Sequence, residues 1–229
     1  LGALEVVAEG RSLALGAAKQ RALLAVLVLN NNRIVSTDRL IDALWGEEAA
    51  DGAGHTLQVY VSALRKALRV RGSPAPETIL VTQGPGYGLR VEPETIDLHR
   101  FERIVSEGRR ALGAGEPTRA ADLLEEALGL WRGPPLGEFA HEAFAQPDIA
   151  RIEDLRLSAV EDRIEADLDL GRQAEVLGEL RSLVADYPLR ERLRAQLMLA
   201  LYRSGRQADA LDAYQAGRRV LQDELGLEP

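Results

Sequence analysis

The stretch from residue 54 to residue 91 constrains the fold of this chain more than any other part of it. It begins with GHTLQVYVSALRKALRV, in which Leu57, Val61, Leu64 and Leu68 recur at spacings of four, three and four residues. This period places all four side chains on one face of an α-helix. The opposite face carries small, polar and basic side chains, so the sequence predicts an amphipathic helix with one buried stripe.

A glycine-rich hairpin is predicted directly after that helix. Gly72-Ser73-Pro74 is expected to stop the helix, and ILVTQGPGYGLRV predicts strands at 79–83 and 87–91 around a tight Gly-Pro-Gly turn. A helix of this kind followed by a hairpin is typical of a winged helix-turn-helix. In that fold the helix enters the DNA major groove and the hairpin contacts the flanking backbone or the minor groove.

The residues before this segment complete a small domain. Alternating apolar and polar residues around Glu9-Gly10 predict an N-terminal hairpin. A helix predicted over residues 17–29 is broken by the three asparagines at 30–32, which tolerate left-handed turns. Ser36 or Thr37 is expected to cap a second, shorter helix.

The second part of the chain has a different organisation. Gly171-Arg172-Gln173-Ala174 recurs 34 residues later, at 205–208, and 34 residues is the tetratricopeptide period. A weaker copy begins at Gly115, followed by an insertion that contains Trp131, Phe139 and Phe144. We therefore expect a mainly α fold, with a winged helix-turn-helix and small β-hairpins in residues 1–92 and a tetratricopeptide-like all-α domain in residues 97–229.

Charge is distributed unevenly between the two parts. Residues 1–96 hold 10 basic and 10 acidic side chains, whereas residues 97–229 hold 18 and 26, which accounts for the whole net charge of −8. A local positive patch is sufficient for phosphate contact, because screening limits the reach of distant charges to about 8–10 Å. Residues 53–91, the helix and the hairpin together, contain one acid, Glu77, and five basic residues: Arg65, Lys66, Arg69, Arg71 and Arg90.

Composition excludes several classes of function. The chain has no cysteine and no run of roughly 18 apolar residues of the kind that crosses a membrane. The histidines at positions 55, 99 and 141 lack metal-ligand spacing, and no catalytic constellation is present. We expect no enzymatic activity, no cofactor, no metal and no membrane partner.

Four sequence stretches together resemble the Streptomyces antibiotic regulatory proteins and the related AfsR-type regulators. They are LNNNRIVSTDRLIDALWG, HTLQVYVSALRKAL, ILVTQGPGYGLRV and the helical repeats that end in RRVLQDELGLEP. The resemblance implies an OmpR-like winged helix fused to a bacterial transcriptional activation domain. It also implies an activator of secondary-metabolite biosynthesis genes that binds promoter direct repeats as two protomers side by side and contacts RNA polymerase holoenzyme near its sigma factor. A bacterial, cytoplasmic, nucleoid-associated protein is the corresponding expectation.

The base contacts of the helix and a phosphate contact of Trp45 are implied by the same resemblance, whereas the other DNA contacts are expected from the positions and charges of the residues. Base edges are expected to meet the exposed face of the helix. The hairpin at 79–91 is the wing of this fold, and its Gln83 is expected to enter the minor groove. Phosphates are expected at the basic end of that helix and around the second helix. The predicted base contacts are Thr56, Gln58, Val59, Ser62, Ala63 and Gln83. The predicted phosphate contacts are Arg65, Lys66, Arg69, Trp45, Ser36, Thr37 and His55.

Two alternative functions remain open at this point. The repeats could form a tetratricopeptide-type module for protein interaction or effector sensing, with the winged helix as a scaffold. The chain could also be a repressor that blocks a promoter sterically.

Overall fold

The computed structural model describes residues 1–69 and 75–226, and the described chain is mainly α-helical, as predicted. The predicted helix stop at 72–74, the basic residue Arg71 and the end of the last predicted stretch, 227–229, lie outside the described residues. The strands are β1 Val7–Ala8, β2 Arg11–Ser12, β3 Val35–Ser36, β4 Leu80–Thr82 and β5 Gly86–Leu89. The helices are α1 Ala18–Leu29, α2 Thr37–Trp45, α3 Ala53–Ala67, α4 Pro76–Ile79, α5 Asp97–Gly113, α6 Pro117–Leu128, α7 Gln146–Asp169, α8 Gln173–Asp186, α9 Glu191–Arg203 and α10 Gln207–Leu225.

The N-terminal hairpin forms where the sequence placed it. β1 and β2 pair antiparallel, and the turn between them has positive φ at both Glu9 (51°) and Gly10 (74°). Two consecutive left-handed residues give the turn that matches the twist of a two-stranded hairpin. The asparagines after α1 also behave as predicted, because Asn30 caps that helix and Asn32 has a φ of 61°.

Ser36, and not Thr37, is the N-cap of α2. Its hydroxyl oxygen accepts a hydrogen bond from the backbone amide of Arg39 at 3.3 Å, and its backbone is extended. Thr37 is the first residue of the helix instead of its cap. Gly46 ends α2 with a φ of 54°, a value that favours glycine.

The wing is part of a three-stranded antiparallel sheet with the strand order β3-β5-β4. The sequence predicted β4 and β5 but not β3, which is only two residues long and pairs Val35 with Tyr87. Both wing strands are shorter than predicted, and β4 begins one residue later than predicted because Ile79 ends the short helix α4. The ladder nevertheless extends past β4, since the amide of Arg90 donates to the Ile79 carbonyl at 2.7 Å.

The described chain divides into two compact units, and the division falls within α5 and α7. The first comprises residues 1–101 and 130–154, and the second comprises residues 102–129 and 155–229. The insertion predicted as part of the C-terminal repeats therefore groups with the winged helix. Its apolar side chains belong to the core that α1, α2, α3 and the wing form; Leu136, Phe139 and Ala145 are buried there.

The three predicted repeats share one turn geometry. Gly115, Gly171 and Gly205 have φ values of 73°, 74° and 73°, and each lies between two helices. In each turn the amide after the glycine donates to a carbonyl five residues earlier at 2.9 Å. This arrangement closes a helix C-terminus around a left-handed glycine and starts the next helix. The glycine spacing in the sequence thus reports three helix pairs: α5–α6, α7–α8 and α9–α10.

Apolar packing and buried ion pairs hold the second unit together. Ile164, Leu180 and Leu193 are fully buried among α7, α8 and α9. On α7, the buried carboxylates Glu161 and Asp162 form ion pairs with Arg192, and Asp162 also pairs with Arg109 of α5. Partial burial disfavours the Arg192 cation, but hydrogen bonds to Glu165 and Asp162 outweigh it and raise the pKa of this side chain.

None of the described helices combines the length and the apolar character that crossing a bilayer requires.

Candidate nucleic-acid interface

The helix α3 is held in place by the apolar stripe that the sequence predicted. Leu57, Val61 and Leu64 are at most 2% exposed, and Leu68, just after the helix, is also buried. The helix packs against α1 and α2, and Gly52 begins it with a φ of 100°. Burying three such side chains stabilises the helix by about 1.5–3 kcal/mol each, so its opposite face is fixed in direction.

That opposite face is exposed along its whole length. Successive members lie three or four residues apart, with one adjacent pair, so they occupy one side of the helix and of the turn after it. Val59 is 50% exposed although it is apolar. The exposed face consists of His55, Gln58, Val59, Ser62, Lys66 and Arg69.

The remaining predicted base contacts of α3 lie at the edge of this face. Thr56 and Ala63 are half-buried, and the Thr56 hydroxyl lies 3.5 Å from the Gly52 carbonyl oxygen. Trp45, at the end of α2, is half-buried and its ring stacks on Tyr60 at a centroid distance of 5.9 Å. Trp45 therefore packs against the core of the first unit and also connects α2 to α3.

Arg65 has a role that the sequence did not indicate. Its Nε and Nη2 atoms donate to the Leu80 carbonyl at 2.9 and 2.7 Å, and Nη2 also donates to the Thr82 hydroxyl at 2.8 Å. The guanidinium thus connects α3 to β4, the first strand of the wing. The neighbouring Lys66 is exposed and forms no ion pair within the described residues, and Arg69 is 3.9 Å from the exposed Glu77.

The wing is anchored at its tip as well. The Thr37 amide and hydroxyl both donate to the Pro85 carbonyl, at 2.8 and 3.0 Å. Both donors of Thr37 are therefore engaged within the protein, whereas Ser36 is exposed beside them. Gln83 is exposed on the wing, and its Oε1 accepts a hydrogen bond from Arg90 Nη2 at 3.0 Å.

Two glycines allow the wing to approach β3 closely. A Cβ at Gly86 would lie 2.6 Å from the Val35 carbonyl oxygen, and one at Gly88 would lie 2.8 Å from the Arg33 carbonyl oxygen. Neither distance is compatible with a side chain, so the sheet requires glycine at both positions. Tyr87 between them is buried in the core.

Two exposed arginines near these elements were not singled out from the sequence. Arg33 lies just before β3, and Arg39 lies in the first turn of α2. Both lie in the stretch LNNNRIVSTDRLIDALWG, and this position beside the helix-turn-helix elements was the signal available for them. Within residues 1–69 and 75–226 no group of three or more potential metal ligands comes together.

A surface groove of about 630 Å³ lies elsewhere, beside the N-terminal hairpin. None of the predicted contact residues lines it. The two arginines of its wall are both ion-paired, Arg21 with Glu138 and Arg132 with Glu5. The groove therefore has no connection with the exposed face of α3.

Comparison with protein-family models identifies both parts of the chain. Residues 10–89 match the model described as "Transcriptional regulatory protein, C terminal". Residues 96–229, more than half of the chain, match the "Bacterial transcriptional activator domain". The boundary between the two models differs from the division into compact units, because residues 130–154 match the second model but pack in the first unit.

Individual relatives agree with these models. The chain is 44% identical to the regulatory protein AfsR of Streptomyces coelicolor over all of its own length but only 22% of that protein. It is 38% identical to the regulatory protein DnrI of Streptomyces peucetius and spans 86% of it. A solved structure of Mycobacterium tuberculosis EmbR, in complex with a low affinity phosphopeptide, matches with a TM-score of 0.95 and 39% identity, over 100% of this chain and 60% of that one.

These matches extend over the whole chain and include a relative that the chain covers almost completely. The chain therefore belongs to the family of bacterial transcriptional regulators that includes AfsR and DnrI, the Streptomyces antibiotic regulatory proteins.

Proposed function

We propose that the chain is a sequence-specific DNA-binding activator of secondary-metabolite biosynthesis genes. The observation that carries this proposal is the exposed face of α3. Six neighbouring side chains are exposed along one side of a rigidly packed helix, and that helix is tied directly to a wing. A helix presented in this way has the dimensions and chemistry that major-groove recognition requires.

The proposed base contacts follow from the chemistry of each side chain. The Gln58 amide offers a donor and an acceptor, the pair that matches the N7 and N6 groups of adenine. Val59 and Ala63 provide apolar surface for a thymine methyl group, and the Ser62 hydroxyl serves either base type. Thr56 is assigned to the edge of the contact because it is half-buried.

The proposed phosphate contacts lie around this face. Lys66 and Arg69 extend from its C-terminal end, and His55 lies at its N-terminal end. Ser36 and Trp45 would contact the DNA backbone from the two ends of α2. Thr37 and Arg65 are set apart from this group, because both donors of Thr37 and the Nε and Nη2 groups of Arg65 already bind the wing.

We further propose that two protomers bind side by side on a promoter direct repeat and recruit RNA polymerase holoenzyme through contacts that include its sigma factor. This step is supported by family membership and by the acidic helical part, which carries the whole net charge of −8. Contacts to DNA and to polymerase would then share one complex, so their free energies of binding are coupled.

The DNA-binding step is tested by the salt dependence of affinity for a promoter direct repeat in a mobility-shift assay. The double variant Lys66→Ala/Arg69→Ala should bind more weakly. Its slope of log K against log salt should be smaller in magnitude by about 1.8, because each lost phosphate contact removes about 0.9. Arg219→Ala, an exposed charge on α10, is the matched control and should leave both quantities unchanged. Equal slopes for all three proteins would contradict the proposed interface.

Run-off transcription with purified holoenzyme tests the activation step. An activator should raise the amount of product from a template that carries the direct repeat, and the effect should disappear with the Lys66→Ala/Arg69→Ala variant. A fall in product on the same template would instead identify a repressor that blocks the promoter. The template without the repeat serves as the control in both cases.

A protein-interaction module is the second candidate function. The last helix pair exposes Leu199 and Tyr202 on α9, and Leu211 and Tyr214 on α10, each between 39% and 64% exposed. Exposed apolar side chains of this size are typical of surfaces that bind another protein. Retention on a DNA resin at low salt with release at high salt favours the DNA-binding function, whereas lack of retention favours this alternative.

A further inference from the structure

The first strand of the wing presents backbone groups that the sheet does not satisfy. β4 is the outer strand of the order β3-β5-β4 among the described residues. The amide of Arg90 donates to the Ile79 carbonyl at 2.7 Å, and the amide of Gln83 donates to the Gly86 carbonyl at 3.1 Å. In an antiparallel pair hydrogen-bonded positions alternate, so the backbone groups of Leu80 and Thr82 point away from β5.

Arg65 occupies that free edge. Two of its N–H groups donate to the Leu80 carbonyl, at 2.9 and 2.7 Å, and one also donates to the Thr82 hydroxyl at 2.8 Å. These are charge-assisted bonds from a planar, rigid donor, and such bonds are stronger and more directional than neutral ones. A carbonyl on an edge strand is otherwise left to water, so the guanidinium determines where β4 lies relative to α3.

The tip of the wing is held from the opposite direction. Both donors of Thr37, at the start of α2, bind the Pro85 carbonyl. The wing is thus fixed to each helix of the helix-turn-helix by one side chain. Gln83 and Arg90, which are exposed and hydrogen-bonded to each other, lie on the wing that these two anchors hold.

We propose that Arg65 is a positioning residue that fixes the wing relative to the recognition helix and acts on DNA affinity through Gln83 and Arg90. This role differs from that of the adjacent Lys66, which contacts phosphate directly in the proposed function. The effect on DNA rests on that proposed function, but the positioning of the wing does not, since it is a property of the protein alone.

Hydrogen exchange of the protein without DNA tests the positioning directly. In Arg65→Ala the backbone amides of Gln83 and Arg90 should exchange about 10-fold faster than in the wild type, because one net hydrogen bond corresponds to a factor of roughly 2–13. Lys66→Ala is the matched control and should leave both rates unchanged. A direct phosphate contact has no effect on exchange in the free protein, so unchanged rates in Arg65→Ala would overturn the proposal.

Milder variants keep the test decisive if Arg65→Ala fails to fold. Thr82→Val removes one of the three hydrogen bonds and keeps the shape of the side chain, so exchange at Gln83 should rise by roughly 2- to 4-fold. Arg65→Lys should lie between the wild type and Arg65→Ala, because an ammonium group cannot reproduce the planar fork. Wild-type exchange rates in both of these variants would overturn the proposal.

Binding to the direct repeat then distinguishes a positioning role of Arg65 from a direct contact between Arg65 and phosphate. Arg65→Ala should weaken binding in the wild-type background but have little further effect in a Gln83→Ala/Arg90→Ala background, because the effects of coupled residues do not add. An Arg65 that contacted phosphate independently would give the same loss in both backgrounds, and that result contradicts the proposal. If no variant and not even the wild type binds the repeat, the proposed function fails while the exchange result still stands.

Discussion

Replacing Phe139 by alanine should make the winged helix-turn-helix unfold more easily, although Phe139 lies outside residues 10–89, which match the first of the two family models. Phe139 is 4% exposed and belongs to the same core as Leu23, Leu44 and Leu64 of the first three helices. Its ring also contacts Phe144, with centroids 5.7 Å apart. The side chain is therefore part of the core that directs the exposed face of α3.

The expected loss in the free energy of unfolding is about 3–5 kcal/mol, the range for removing a buried phenylalanine side chain. Domains of this size are stable by only about 5–15 kcal/mol, so the loss is a large share of the total. With a urea dependence of about 2 kcal/mol per molar, the unfolding midpoint should fall by roughly 1.5–2.5 M. Tyr202→Ala, at a 63% exposed aromatic, should shift the midpoint by no more than about 0.25 M.

Tryptophan fluorescence provides a site-specific assay. The chain has only two tryptophans, Trp45 and Trp131, so a Trp131→Phe background leaves a single reporter on α2. The Trp45 transition should move with the Phe139→Ala substitution. If circular dichroism shows a new early transition while the Trp45 transition stays at its original urea concentration, then residues 130–154 are not part of the folding unit of the helix-turn-helix, and the reasoning is refuted.

Three further predictions test individual contacts. Gly86→Ala should destabilise the chain by about 1–3 kcal/mol in urea denaturation, because its Cβ would lie 2.6 Å from the Val35 carbonyl oxygen. An unchanged unfolding midpoint would show that β3 can shift without loss of stability. Ser36→Ala should destabilise by about 1 kcal/mol through loss of the N-cap of α2, and Ser36→Thr should restore most of it. Hydrogen bonds from Arg132 and Ser12 lower the pKa of Glu5, so the stability from this pair is present above the ordinary carboxyl pKa and is lost as the pH falls through the lowered value. NMR titration should show the Glu5 pKa rising towards its ordinary value in Arg132→Ala, and an unchanged pKa would contradict the assignment.

Local chemistry accounts for the parts of the fold that were predicted correctly. The stripe of Leu57, Val61 and Leu64 defines α3 because only a helix brings these positions together. Glu9-Gly10 and the repeated glycines before α6, α8 and α10 required left-handed backbone, and the structure has positive φ at each. These signals act within a few residues of the chain, so sequence alone was sufficient to read them.

The elements that were missed depend on contacts between distant residues. β3 is two residues long and exists because Val35 meets Tyr87, 52 positions away. The bond from Arg65 to the Leu80 carbonyl depends on the free edge of β4, which no local pattern encodes. The insertion with Phe139 was assigned to the repeats from its position in the chain, whereas its apolar side chains pack in the core of the first unit.

The exposure of the candidate interface could be predicted, but its contacts with DNA remain a prediction. Helical periodicity placed Val59, Ser62 and Lys66 on the face opposite the leucine stripe, and all three are exposed. Periodicity gave no sign that Arg65 and Thr37 are engaged with the wing, because both bonds are tertiary.

Site-specific photo-crosslinking to a promoter direct repeat tests the central claim most directly. A benzophenone side chain introduced at Ser62, in the centre of the exposed face of α3, should crosslink to the repeat, and the yield should fall as salt is raised. The same group at Leu211, which is 64% exposed on α10, should give none. Equal crosslinking from both positions, or none from position 62 while the protein is bound to the DNA, would contradict the account.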